Sequence, residues 1–240
     1  MIKLVVVKDK SEGQIKAHDI LKKLVDKNTL LALSGGTSVD YRVMLATTEG
    51  TEILPGAICV VDERYGEEFH RDSNELLLKN QGIKDFADEE CIETHKILKG
   101  QKFLKTAKIY KKEIEDLFKR FKKRVGVMGI GANLHTAGIF PFSVAAHSPD
   151  FVVAEEVKDK QSLRSSPAKR GAGLKFPKRI TLTLKALGEF SSFVILLFGS
   201  AKQNTLRMIL DKSVNDMQKY PAIFYRKYKA KTYLITDINV

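Results

Sequence analysis

The sequence predicts an α/β protein in which short buried strands form a parallel sheet and amphipathic helices cover it. Short apolar runs alternate with longer segments of helical periodicity, and glycine-containing turns follow several of the runs. Such an alternation is typical of parallel sheets. The chain has 240 residues and shows no repeat, low-complexity tract or linker. We therefore expect a single α/β domain over residues 1–240.

The first third of the chain predicts three strands and two helices. The first strand is an apolar run with one lysine inside it, a pattern of a strand and not of a signal peptide. The first helix begins at Ser11 and carries apolar side chains at helical spacing. The second helix contains Tyr41 and follows a glycine turn. The predicted strands cover residues 2–7, 30–33 and 57–61, and the first helix covers residues 11–27.

The rest of the chain continues the alternation. A helix is predicted to start within residues 71–75, just before three leucines. A long helix over residues 101–123 has one apolar stripe, which we expect to pack on the sheet. Residues 158–178 are polar and lack periodicity, which predicts a mobile lid. The remaining predicted strands are residues 125–128, 151–157, 179–184, 193–198 and 233–235, and a last helix covers residues 201–210.

The formal net charge of +12 raises the alternative of a nucleic-acid-binding protein, which steeply salt-dependent retention on DNA or RNA would reveal. The lysines, however, are spread over predicted helix faces. No zinc-finger spacing, aromatic RNA-binding motif or arginine-rich tail accompanies them. We therefore expect no nucleic-acid partner, and a surface charge of which a part steers an anionic substrate into a cleft.

The lengths of the apolar runs and the positions of the cysteines indicate the cellular compartment. The chain has no run of about 18 apolar residues, so we expect no membrane span and no membrane partner. Its two cysteines, Cys59 and Cys91, lack metal-ligand spacing, and Cys59 lies inside an apolar run. These features predict a reducing, cytoplasmic compartment.

A glycine-rich segment lies between the second predicted strand and the following helix. It contains Ser34, Gly35, Gly36 and Thr37. Glycine permits a close backbone approach and a helix N-terminus offers free N–H groups, so the segment suits a bound phosphate. Its spacing is neither that of a Walker loop nor that of a dinucleotide fingerprint. A tight turn with a capping hydroxyl explains the pattern about equally well.

Charged residues follow other predicted strands. Asp62, Glu63 and Arg64 come directly after the strand at residues 57–61. Arg64 can bind a phosphate with its planar guanidinium, while Asp62 or Glu63 orients a neighbouring group. A surface ion pair between Glu63 and Arg64 is the alternative. Arg179 and Lys202 are cations that could face the same crevice, although each alone is also typical of a surface.

His135 is the candidate catalytic residue. It follows the apolar strand at residues 125–128 and a glycine turn, at the kind of strand end where open α/β sheets bind ligands. Histidine titrates near neutrality, so it can take a proton from water. The other histidines form no visible metal cluster with carboxylates. There is no nucleophile elbow and no cysteine placed for covalent catalysis.

Taken in order, six stretches resemble the 6-phosphogluconolactonase family and its glucosamine-6-phosphate deaminase and isomerase relatives. They span residues 31–225 and read LALSGGTSVDYRVML, VVDERYGEEFHRDSNELLL, VGVMGIGANLHTAGIFP, RITLTLKAL, FGSAKQNTLRMIL and YPAIFY. The resemblance implies a doubly wound, Rossmann-like fold. It also implies hydrolysis of 6-phosphogluconolactone to 6-phosphogluconate in the oxidative pentose phosphate pathway, by a monomer or homodimer without a metal or nucleotide cofactor.

The resemblance further implies roles for individual residues. His135 is similar to the catalytic histidine of the lactonases. The deaminase branch typically has tyrosine in place of Arg64, and the Asp-Ser-Asn at residues 72–74 also resembles the lactonase branch. The positions that resemble those lining the substrate and phosphate pocket are Ser34, Gly35, Gly36, Arg64, Arg179 and Lys202.

Two departures from the family pattern affect the expected chemistry. The family usually reads Asp-Gly-His where this chain has Asn133, Leu134 and His135, and Ser-Thr-Pro where this chain has Thr-Ser-Val at residues 37–39. We expect Asn133 to hydrogen-bond to the histidine without supplying charge. We expect Leu134 to add bulk and to exclude left-handed backbone angles. Asp62 is the carboxylate that could take over the missing charge.

The predicted mechanism is lactone hydrolysis by activated water. His135 takes a proton from water as it attacks the C1 carbonyl, and a glycine-turn N–H or a nearby cation stabilises the oxyanion. Arg64, Arg179, Lys202 and the Ser34–Thr37 segment hold the phosphate and the sugar hydroxyls. Two alternatives stay open: a deaminase or isomerase acting on an amino-sugar phosphate, and a non-catalytic sugar-phosphate-binding relative.

Overall fold

A computed structural model describes residues 2–45, 53–157 and 176–239 of the chain. In these ranges, ten strands and eight α-helices alternate along most of the sequence. The strands are β1 (Ile2–Val6), β2 (Thr29–Leu33), β3 (Ala57–Val60), β4 (Asp62–Arg64), β5 (Glu93–His95), β6 (Lys123–Gly129), β7 (Val152–Glu156), β8 (Lys178–Leu182), β9 (Ser192–Leu197) and β10 (Lys231–Thr236). The α-helices are α1 (Lys10–Leu24), α2 (Tyr41–Met44), α3 (Asn74–Asn80), α4 (Ile83–Glu89), α5 (Phe103–Arg120), α6 (Leu184–Leu187), α7 (Gln203–Leu210) and α8 (Phe224–Lys227).

Seven of the strands form one parallel sheet in the order β1-β10-β9-β6-β2-β3-β5. Strands β2 and β9, on either side of the central strand β6, are buried along their whole length, as expected of strands that are covered on both faces. The chain leaves β2 toward β3 on one side of the sheet, and it leaves β6 toward β9 on the other side. The predicted parallel α/β fold is therefore confirmed, with a switch point between β2 and β6 where such sheets bind ligands.

A second sheet of three antiparallel strands, ordered β4-β8-β7, was not predicted. The strand expected at residues 57–61 ends at Val60, and the chain then enters β4, which pairs with β8. In that pairing Arg64 lies opposite Arg179. The small sheet therefore brings together two cations that are far apart in the sequence.

The helices confirm the predicted pattern with shifted ends. The apolar stripe of α5 is buried, with Tyr110, Ile114 and Leu117 at 1% exposure or less. Helix α1 starts one residue before Ser11, because the carboxylate of Asp9 accepts the Glu12 N–H and caps the helix.

Three local predictions differ from the structure. The strand predicted at residues 179–184 ends at Leu182, because the Thr183 hydroxyl caps the short helix α6. Helix α4 and the edge strand β5 were not predicted. The predicted lid lies outside the described residues except for residues 176–178, of which Lys178 begins β8. None of the helices in the described ranges has the length and hydropathy that a membrane crossing requires.

Candidate active site

A polar cavity of about 200 Å³ lies at the carboxyl ends of β2 and β6, at the switch point of the sheet. Segments that follow β2, β3, β6 and β9 meet there, because parallel strands end at the same edge. The lining residues are Ser34, Gly35, Gly36, Thr37, Ser38, Asp62, Arg64, Asn74, Gly129, Ile130, Gly131, His135, Ala137 and Lys202. Of the residues predicted from the sequence, Asn133 and Arg179 are outside this lining.

The segment after β2 requires both of its glycines. A Cβ atom on Gly35 would lie 2.1 Å from the Asn74 Oδ1, and Gly36 has a φ of +116°, which favours glycine. Ser34 is 4% exposed, and its hydroxyl has no hydrogen-bond partner within the described residues. In the same ranges no group accepts a hydrogen bond from the N–H of Gly35 or Gly36. These groups are available to a bound anion.

The helix after this segment does not contribute as predicted. Helix α2 has a single turn that begins after Asp40, and the N–H of Tyr41 donates to Gln81 Oε1 at 2.8 Å. The proposed use of its N-terminal dipole is therefore wrong, and so is the alternative that a hydroxyl of the glycine segment caps it. Lys10 and Gln14 of α1 instead hold the outer carbonyls of Thr37 and Ser38.

Glu63 organises the residues after β3. It is fully buried, and its carboxylate accepts hydrogen bonds from the N–H groups of Arg64, Asn74 and Glu75 and from the Ser73 hydroxyl. The alternative interpretation, a surface ion pair between Glu63 and Arg64, is therefore wrong. The Arg64 Nη1 donates to the Asp72 carbonyl at 2.7 Å and to Asn74 Oδ1 at 2.9 Å. These bonds fix the guanidinium at the cavity wall.

Asp62 is buried in the cavity wall, at 7% exposure. Burial raises the pKa of Asp62 to about 6, although Arg64 and Arg179 act in the opposite direction. Within the described residues it is the one carboxylate that lines the cavity, and no hydrogen bond joins it to His135 there.

His135 is half-buried and its ring stacks on Phe140, with centroids 4.6 Å apart. Its Nδ1 lies 2.5 Å from Asn133 Oδ1. With this amide oxygen as the acceptor, Nδ1 carries the proton and Nε2 keeps its lone pair. Burial, followed by three nearby cations, lowers the pKa of His135 to about 3; the cations belong to Lys202, Arg179 and Arg64. The imidazole is thus neutral near pH 7 and can accept a proton at Nε2.

The glycine turn after β6 serves the histidine rather than an oxyanion. The Gly131 N–H donates to the His135 carbonyl at 2.9 Å. A Cβ atom on Gly131 would lie 1.9 Å from the His135 ring, so only glycine fits there. The predicted oxyanion role of this turn is therefore not available to the Gly131 N–H.

The expectation that Leu134 excludes left-handed backbone angles is wrong. Leu134 adopts a left-handed φ of +59° although it is not glycine, and its side chain is 2% exposed. Its N–H donates to the Gly131 carbonyl, and its own carbonyl accepts the Ala222 N–H, both at 2.9 Å. Burial and these bonds hold the loop in a conformation that glycine would adopt without strain.

Two cations flank the histidine in different ways. Lys202 lines the cavity, and its Nζ donates to the Ile130 carbonyl at 2.6 Å. Burial lowers the pKa of Lys202. Arg179 is 8% exposed and lies behind the cavity, with its guanidinium carbon 5.8 Å from the centre of the Phe140 ring. Arg179 therefore adds charge to the site without lining it.

Asn74 is one of the cavity residues that the predicted site lacked. Its Oδ1 accepts from Arg64, and its Nδ2 donates to the Asp62 carbonyl at 2.7 Å. The sequence signal that could have identified Asn74 was the Asp-Ser-Asn stretch at residues 72–74. That stretch indicated the lactonase branch of the family, but it did not indicate that Asn74 contacts Arg64. Within the described residues, no group of three or more His, Cys, Asp or Glu side chains is placed to hold a metal ion.

Comparison with known proteins supports the family. A 6-phosphogluconolactonase of Nostoc sp. is 26% identical over 170 residues, which cover 68% of this chain and 63% of the relative. The aligned region thus spans less than two thirds of that curated relative. Residues 14–234 match the family described as glucosamine-6-phosphate isomerases/6-phosphogluconolactonase.

Solved structures share the fold at low sequence identity. A 6-phosphogluconolactonase from Plasmodium vivax has a TM-score of 0.77 at 18% identity, covering 98% of this chain and 89% of that one. One from Shewanella baltica has a TM-score of 0.75 at 18% identity, covering 98% and 97%. A monomeric glucosamine-6-phosphate deaminase has a TM-score of 0.76 at 15% identity, covering 98% and 97%. With the match over residues 14–234, these findings show that the chain belongs to the glucosamine-6-phosphate isomerase/6-phosphogluconolactonase family.

Proposed function

We propose that this protein hydrolyses 6-phosphogluconolactone to 6-phosphogluconate, in the cytoplasm and in the oxidative pentose phosphate pathway. The observation that carries the proposal is a histidine, His135, whose Nδ1 lies against the Asn133 amide oxygen and which shares one small cavity with two cations, Arg64 and Lys202. A base and an anion site are what hydrolysis of a phosphorylated lactone requires. The relatives named for this activity point the same way.

The reaction follows from the histidine tautomer. Water attacks the C1 carbonyl carbon while one of its protons passes to His135 Nε2, and the carbonyl electron pair moves to the oxygen. Positive charge in and behind the cavity wall stabilises that oxyanion. When the carbonyl re-forms, the bond between C1 and the ring oxygen breaks, and the ring oxygen takes the proton back from Nε2. Asn133 holds Nδ1–H throughout and keeps the ring oriented.

The phosphate is held by groups that are prepared for an anion. Arg64 is fixed by Asn74, and Lys202 is fixed by the Ile130 carbonyl. The Ser34 hydroxyl and the N–H groups of Gly35 and Gly36 supply further donors. Charge-assisted bonds of this kind are stronger than neutral ones. They hold the lactone so that C1 lies near His135.

A deaminase or isomerase of the same fold is the second candidate, favoured by the similarity to the monomeric deaminase. Ring opening and proton transfer on an amino sugar need a set of acid–base carboxylates. Among the described lining residues, the cavity offers Asp62 alone. This difference favours the lactonase over the deaminase.

The test measures hydrolysis of freshly generated 6-phosphogluconolactone above its spontaneous rate. We expect turnover by the wild type, loss of turnover in His135→Ala, and unchanged turnover in His147→Ala, a control at an exposed histidine. Circular dichroism would show that each variant is folded. Turnover that survives His135→Ala would exclude this residue as the base. Ammonia release from glucosamine 6-phosphate without lactone hydrolysis would support the deaminase instead.

A further inference from the structure

A second cavity, of about 400 Å³, lies between the α3–α4 pair and the sheet edge formed by β3 and β5. It shares no lining residue with the active-site cavity, so the proposed hydrolysis does not use it. Its volume is in the range of small-molecule sites. Its floor is apolar and consists of buried side chains, namely Ile58, Val60, Leu78 and Ile83.

One wall of this second cavity carries a buried carboxyl group. Glu75 is 4% exposed, and its Oε1 accepts the N–H groups of Ile97 at 2.5 Å and Leu98 at 2.9 Å. Its Oε2 has no hydrogen-bond partner within the described residues. Burial raises the pKa of Glu75 to about 7. An unpaired buried oxygen is costly, and an N–H group of a ligand would supply the partner.

Lysines line the rim of the second cavity, and two of them, Lys84 and Lys99, pair with carboxylates. Phe69 holds two ammonium groups over its ring, with Lys79 Nζ 5.0 Å and Lys96 Nζ 5.3 Å from the centroid. Lys96 also pairs with Glu68, whereas Lys79 has no carboxylate partner within the described residues. The Phe69 backbone has a left-handed φ of +56°, a strained conformation for an aromatic residue. The Phe69 ring thus lies beside Lys79, the cation of this pair that has no carboxylate partner within the described residues.

We propose that the second cavity binds a mononucleotide whose base carries an amino group. The base lies on the apolar floor, its amino group donates to Glu75 Oε2, and its phosphate binds Lys79. An inorganic anion has no apolar body for the floor, and a fatty acid has no N–H group for Glu75. A nucleotide combines all three features.

The test is isothermal titration calorimetry with adenosine 5′-monophosphate as the probe. We expect saturable binding to the wild type, and affinity lower by about tenfold in Lys79→Met, the effect of losing one charge-assisted bond. Glu75→Gln should weaken binding as well, because its amide replaces the free acceptor with a donor. Adenosine, which lacks the phosphate, should bind about as weakly to the wild type as the nucleotide binds to Lys79→Met.

Controls separate this site from the active site. Lys202→Met, in the first cavity, and Lys105→Met, at an exposed position of α5, should both leave nucleotide affinity unchanged. Binding lost in Lys202→Met but kept in Lys79→Met would assign the nucleotide to the active site and overturn the proposal. Absence of saturable binding at millimolar nucleotide would also overturn it. If Glu75→Gln does not fold, Ile83→Phe tests the same site by filling its floor.

Discussion

The ring of His135 lies between the neutral amide of Asn133 and a group of positive charges. An aspartate at residue 133 would add a negative charge beside Nδ1 and favour the protonated ring. Asn133 still fixes the tautomer of the His135 ring, but it supplies no negative charge to offset the nearby cations. In the proposed reaction, the phosphate of the lactone then adds negative charge to the cavity.

This arrangement predicts the titration of His135. Because its pKa is lowered from 6.5 to about 3, the ring takes up a proton only at a lower pH than an ordinary histidine. Ring nitrogen shifts in NMR spectra should therefore show a neutral His135 at pH 5. Inorganic phosphate bound beside Arg64 and Lys202, and separately the substitution Asn133→Asp, should each raise the pKa. A midpoint near 6.5 in the free wild type would contradict the expectation.

Two opposing contributions to stability meet at Leu134: its left-handed backbone destabilises the fold, and its buried side chain stabilises it. Left-handed backbone costs a non-glycine residue about 1 kcal/mol, whereas truncating a buried leucine costs about 2–5 kcal/mol. Leu134→Gly should therefore destabilise the protein, by about 1–4 kcal/mol in urea unfolding. The matched variant is Leu134→Ala, which loses the burial but keeps the strain. It should be less stable than Leu134→Gly, and the reverse order would show that φ at this residue carries little strain.

At the scale of elements, β4 and helix α3 form one unit around Glu63. This buried carboxylate joins the strand that carries Arg64 to the first turn of the helix that carries Asn74. The positions of Arg64 and Asn74, which line the cavity, therefore depend on Glu63, which does not line it. Antiparallel pairing of β4 with β8 completes the unit.

We expect Glu63→Ala to disturb both stability and substrate binding. Removing the acceptor leaves buried donors unpaired, which should cost about 2–4 kcal/mol in unfolding free energy. In the folded fraction Arg64 loses its position, so KM for the lactone should rise by about tenfold while kcat changes less. Thermal unfolding and steady-state kinetics measure the two effects. The exposed Glu67→Ala is the control, and a normal KM in Glu63→Ala would exclude the positioning role.

The whole chain has a formal net charge of +12, and two cations, Arg64 and Lys202, line the proposed substrate cavity. A phosphorylated substrate should be attracted over a distance comparable with the Debye length, about 10 Å at 0.1 M salt. We expect kcat/KM for the lactone to fall as ionic strength rises, with kcat nearly unchanged. Stopped-flow or steady-state assays across sodium chloride concentrations would measure this. A salt-independent kcat/KM would mean that the surface charge has no part in substrate capture.

Much of the fold could be predicted from the sequence because its signals are local. The apolar runs of β2, β6 and β9, the stripe of α5 and the glycines at residues 35 and 36 each follow from neighbouring residues. What could not be predicted depends on distant partners. The short strand β4 has three residues, and only pairing with β8 identifies it as a strand. Helix α2 ends after one turn, and no neighbouring residue in the sequence predicts this end.

The same division applies to the candidate site. His135, the glycine segment and the cations were visible in the sequence, because their residue types and places after predicted strands indicate chemistry. Tertiary structure alone decided that Arg179 lies behind the cavity, that Glu63 is buried, and that Leu134 is left-handed. It also decided the state of His135, because the pKa depends on charges that strands far apart in sequence bring together. The sequence determined which groups are present, and the parallel sheet, by ending its strands at one edge, decided which of them meet.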